Sequence, residues 1–216
     1  MNKILAHPVA IGAIGVILVV FSSFLPVNNT DQLVMAAAES QLPVFLSKIP
    51  ASEIKWYGFK ANDDLDLLEI GKPFRVLMFS NDFYSSPAEE DKNYFIIKNE
   101  WLVPVSMNGV NRTLLTMDGN PGNYLISAMG DTSLTKELQE QSAGANSEAD
   151  FYILRIPRLR ADFFVTETHN SYSEARFTPL LNAVLAMPSL SNTSRTSFTL
   201  SEMEKAVKEA LSRKSK

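Results

Sequence analysis

The sequence predicts an α+β domain with a mainly antiparallel sheet containing a three-strand meander and a few packed helices, preceded by one N-terminal transmembrane helix. Three observations predict it. Residues 4–25 are apolar and carry no Lys, Arg, Asp or Glu. The pair Asn108-Gly109 lies between two strand-like runs, and a third run follows after a second turn cluster. Helical signals appear singly between strands, without the regular βα alternation of a doubly wound fold.

Bulk composition narrows the function classes. The chain has 216 residues, 45% hydrophobic and 20% charged, a composition that folds rather than stays disordered. Net charge is −4, and Lys3 is the sole charged side chain before Asp31, which leaves about −5 on the remainder. A domain of that sign lacks the clustered cations that displace counterions from nucleic acid, so no nucleic-acid partner is expected. Cysteine is absent, which excludes disulfides, thiolate nucleophiles, Cys-ligated zinc and a cysteine-borne lipid anchor.

Residues 1–30 read as a signal-anchor segment. As a helix, its apolar core spans roughly 30 Å, the thickness of a bilayer's hydrocarbon layer. A cleavable signal has a shorter apolar region ending close to a small-residue site. Here the apolar run is longer, which favours retention, while the small-residue triplet Ala36-Ala37-Ala38, well beyond its end, favours cutting; the length of the run is given the greater weight. Retention is therefore expected, with the N-terminus cytoplasmic and the domain periplasmic or extracellular; secretion after cleavage is the alternative. His7, beside Pro8, belongs to this membrane-facing segment.

The elements follow in order. Residues 31–40 read as a stalk that becomes helical from Asp31, capped by Thr30; the domain proper is expected over 41–216. "LPVFLSKIP", with proline at both ends, suits an extended segment. "ANDDLDLLEIGKPF" is punctuated as a short helix, with Asn62 as cap and Gly71 and Pro73 as terminators. "FRVLMFS" has strand character, and "NDFYSSPAEEDKN" that of a polar loop. The meander comes next: "FIIKNEWLVPVSM", the Asn108-Gly109 turn, "VNRTLLTM", the cluster "DGNPG" and "NYLISAM". Pro104 places the first of these strands at an edge or on a bulge.

After Gly130, "DTSLTKELQEQ" spaces Leu134 and Leu138 on one helical face. "FYILRIPRLRADFFVTET" supplies two strands around Pro157. "ARFTPLLNAVLAMPSL" suits either a strand or a helix, and "SNTSRTS" a linker. At the C-terminus Thr199 and Glu202 form a capping box, and Met203, Ala206, Val207, Ala210 and Leu211 share one helical side.

Catalytic signatures are sparse. His169 is the sole histidine beyond the anchor, too few for zinc, and no G-x-S-x-G motif positions a serine beside it. Neither phosphate-cradling glycine motif occurs. "NDDLD" lacks the glycine and the distal glutamate of a calcium loop. No catalytic, cofactor or metal residue is assigned. Candidate partner-binding residues are the aromatics Trp56, Tyr57 and Phe59 and the arginines Arg158 and Arg160, read as alternating along one strand with Arg155 nearby. The expected function is binding: a membrane-anchored extracytoplasmic domain contacting a protein partner or envelope component. Two alternatives are a structural accessory subunit of a larger membrane complex and a secreted hydrolase built on a carboxylate pair.

Overall fold

In the computed structural model, residues 29–85, 94–143, 150–168, 171–191 and 196–214 are described. The expected transmembrane helix, both histidines and most of the acidic loop after Ser85 lie outside them. Among the described residues, no helix is long and apolar enough to cross a membrane.

Helix α1 runs Asn29–Leu46 with Pro43 inside it. The stalk is helical as read, though the helix starts at Asn29 so that Thr30 lies inside it rather than capping it; the expectation corrected is the extended segment, most of which joins the same helix. The cause is the stripe Val34, Ala38, Leu42 and Leu46, repeating every fourth residue and buried throughout. Proline in a helix interior costs about 3 kcal/mol, and burying two leucines returns about 1.5–3 kcal/mol each. Burial wins, and Pro43 itself faces solvent.

The short helix expected over 62–71 is also corrected. Asp64 accepts a hydrogen bond from the Asp66 N–H at 3.1 Å and caps only one 3-10 turn, Leu65–Leu67. The chain then extends as β1, Leu68–Ile70. Leu68 and Ile70 pack toward the core beneath α1 while Glu69 faces out, so a period of two overrides the helical punctuation.

The remaining elements are β2 Phe74–Phe79, α2 Asn81–Ser85, β3 Phe95–Met107, β4 Val110–Asn120, β5 Asn123–Gly130, α3 Thr132–Ala143, β6 Asp150–Ile156, β7 Ala161–Thr168, β8 Ser171–Pro179, α4 Leu181–Ala186, α5 Pro188–Ser191 and α6 Leu200–Lys214. They build one sheet in the order β5-β4-β3-β2-β6-β7-β8, with β1 paired to β3 beyond the end of β2. Every pairing is antiparallel except β2 with β6. The expected meander is β3-β4-β5; Asn108 (φ 54°) and Gly109 (φ 72°) make its first turn with both angles positive. The domain is thus α+β with a mostly antiparallel sheet.

Helices cover both faces. On one, the α1 stripe packs against Trp101, Val103, Val105, Leu115 and Met117. Farther along that face, Met203, Ala206 and Val207 of α6 pack with Leu77, Leu154, Phe163 and Phe177. On the other, Leu134 and Leu138 of α3 cover Phe74, Val76, Leu102, Leu114 and Ile153. The α2 turn falls within the expected polar loop because Phe83 is buried there, stacked on Phe79 at 3.7 Å.

Each outer strand is met at one point. Gln41 on α1 donates through Nε2 to the Tyr124 carbonyl at 2.7 Å and accepts from the Ile126 N–H at 3.1 Å, so one side chain fills the place of a neighbouring strand at β5. At β8, Phe177 and Phe198 exchange two backbone hydrogen bonds of 2.9 Å.

Candidate binding edge

One strand edge is treated differently. "IGKPF" interrupts what would be a single strand, leaving β1 and β2 on the same side of β3 with Gly71–Pro73 between them. Pro104 lies opposite that gap. The Gly71 N–H donates to the Pro104 carbonyl at 2.8 Å, so Pro104 turns its backbone toward the gap, where its missing N–H is not needed. The strand carrying Pro104 is therefore interior rather than an edge, and the bulge half of the expectation is met by the register shift between Val105 and Ser106 beside it. The sheet accommodates the proline by breaking the neighbouring strand.

Register then fixes which backbone groups are open. Gly71 faces β3, so by antiparallel alternation Ile70 directs its N–H and C=O away from β3, and Leu68 its C=O. Strand β6 flanks β2 from Arg75 upward, and among the described residues no strand flanks β1 on that side.

A pocket lies on each face beside this edge. On the α1 face, Leu42, Pro43, Leu46, Leu65, Leu68 and Ile70 line a cavity of about 410 Å3 whose rim carries Glu39, Ser47 and Asp66. On the α3 face, Gly71, Lys72, Phe74, Pro104, Asn111, Ser142 and Phe151 line one of about 350 Å3. The Lys72 ammonium stands 5.3 Å above the Phe151 ring, a cation–π contact that holds it at the mouth. Glu69, between the pockets, is exposed.

Two polar clusters elsewhere read differently. Arg155 bridges Glu100 (2.6 Å) and Asp162 (3.2 Å), and Asn182 donates to the second oxygen of Asp162 at 2.8 Å. These groups satisfy one another and tie β3, β6, β7 and α4 together. Arg75 stacks 5.4 Å from the Trp101 ring, which meets Tyr124 edge-on at 5.0 Å. The Tyr124 hydroxyl is pushed above its ordinary value by burial, with Arg75 opposing and Asp31 adding to the rise. The Arg75 Nε, Trp101 Nε1 and Tyr124 Oη atoms are all sealed from solvent and lack hydrogen-bond partners, which puts them out of reach of a diffusing ligand.

The residues nominated by sequence do not assemble into one surface. Trp56 is 71% exposed with Lys55 over its ring at 5.3 Å, Tyr57 is half-buried against the α1 core, and Phe59 is 2% exposed within it. The 3-10 turn Ile54–Tyr57, closed by Gly58 at φ +86°, points successive side chains in different directions. Gly58 is required there, because a Cβ would stand 2.3 Å from the Arg112 carbonyl oxygen. Arg158 and Arg160 do not alternate on a strand as expected. They sit in the turn between β6 and β7, Arg160 at φ +54°. Pro157 ends β6, and the four-residue turn it opens takes both arginines out of the ladder. Arg158 stacks over the Tyr84 ring at 4.4 Å, and its carbonyl accepts from Lys214 Nζ at 3.2 Å.

Among the described residues, no group of three or more His, Asp or Glu side chains is placed to hold a metal ion. Trp56 lines neither pocket of the β1 edge. Comparison of the chain with protein-family models, with curated proteins and with solved structures returned no match.

Proposed function

We propose that this chain is an extracytoplasmic domain held at a membrane by residues 4–25, and that it acts by binding a protein partner at the open edge of β1. The observation that carries this reading is the contrast between edges. Gln41 caps β5 at Tyr124 and Ile126 and Phe198 pairs with β8 at Phe177, while β1 directs the Ile70 backbone groups and the Leu68 carbonyl outward beside two pockets. An unprotected edge invites association, and proteins that do not use one cover it. The uncharged N-terminal run supports the membrane position.

A photo-cross-linking residue at position 69 of the full-length chain, irradiated in native membranes, tests the proposal. A discrete adduct of higher mass is expected from that position and none from position 127 on β5. Identical adducts from both positions, or none from position 69, would overturn it.

A further inference from the structure

We infer that the occupant of this edge is an extended peptide segment that adds to β1 as a further strand, bearing apolar side chains on both faces and a Lys or Arg beside them. The inference rests on the binding reading above and specifies its chemistry.

A strand presents successive side chains to opposite faces, and the two pockets lie on opposite faces of the sheet at the same edge. One incoming segment therefore serves both: alternate residues enter the Leu42–Leu46–Leu68–Ile70 cavity, and their neighbours enter the Phe74–Pro104–Phe151 cavity. Gly71 bears no side chain to obstruct the second mouth. The backbone of the same segment meets the outward groups of Ile70 and the Leu68 carbonyl, the mode in which main-chain bonds give affinity and pockets give specificity.

A helical partner would satisfy its own backbone and leave those of β1 unmet. Charge selects further. Glu39 and Asp66 rim the larger cavity and Glu69 stands between the pockets, so a cation on the segment is attracted there. Lys72 is already engaged with Phe151 and disfavours a cation at the other mouth.

The test uses purified full-length protein in detergent and a labelled synthetic heptapeptide, with lysine at each end and leucine alternating with phenylalanine between. Two further peptides carry backbone N-methyl groups, one on the leucine nitrogens and the other on the phenylalanine nitrogens. Only one of the two sets faces β1 in an added strand. Anisotropy titration should show saturable binding that one methylated peptide loses at least about tenfold and the other retains. Reversing the rim charge in Glu39→Lys/Asp66→Lys should weaken binding by a similar factor. Equal effects of the two methylations, no saturable binding, or indifference to the charge reversal would overturn the inference. A position-69 adduct persisting beside equal methylation effects would leave partner binding intact and discard only the strand mode.

Discussion

Glu204 is a carboxyl group inside the α6 contact with the sheet, buried although glutamate is among the residues least often found so. Burial raises its proton affinity, and Lys208 one turn later opposes the rise. A raised value in the folded state means that folding favours the protonated form. The cost is absent below the ordinary glutamate range, grows as pH rises toward the shifted value, and is constant above it. Glu204→Gln should therefore raise Tm by about 1–2 °C at pH 8 and leave it unchanged near pH 3.5, read by thermal melts at both. Arg155 carries the opposite expectation. Arg155→Ala strips the ion partner from the nearly buried Asp162 and should cost about 2 kcal/mol in urea unfolding, with Arg155→Lys recovering less than half because an ammonium cannot fork to two carboxylates. Residue-scale signals were legible where partners are close in sequence. Thr199 and Glu202 do cap α6, through the Thr199 N–H at 3.0 Å from Glu202 Oε2. The Glu100–Arg155–Asp162 network was not legible, since it joins residues that only the sheet brings together.

Among the elements, α1 shows why local punctuation misleads. Pro43 and Pro50 suggested an extended run, yet the every-fourth-residue stripe ending at Leu46 was present in the sequence and decided the outcome. The β1 segment failed in the same way: acids and a terminating glycine imitate a capped helix, while Leu68-Glu69-Ile70 carries the two-residue alternation that the sheet uses. Asn108-Gly109 and the capping box, by contrast, have backbone requirements that few other conformations meet, and both elements form as read. The same helix α1 guards the β5 edge. Gln41→Ala should lower stability by about 1–2 kcal/mol through the loss of two hydrogen bonds. It should also produce concentration-dependent self-association in analytical ultracentrifugation, because the Tyr124 and Ile126 backbone groups become available.

At the level of the whole molecule, the fold class followed from periodicity, whereas the strand order did not. The join is the parallel pair β2–β6, between segments separated by the whole meander and α3. No local pattern encodes that pairing, and the notch beside β1 exists only because β6 begins where β2 does. The candidate site was invisible for this reason, although Gly71, Pro73 and Pro104 marked the break that creates it. For the proposed anchor, a full-length mass in the membrane pellet after an alkaline carbonate wash is expected, and a shortened mass in the supernatant would place the domain free in solution. The central claim is that the β1 edge is the binding surface, and hydrogen exchange reads it most directly. Full-length protein compared in native membranes and after detergent purification should show the outward Ile70 amide protected in the membrane and exchanging fast once purified, with the Gly71 amide, bonded to Pro104, and those of β4 and β5 unchanged. Equal exchange in both states, or protection already present in the purified chain, would contradict the claim.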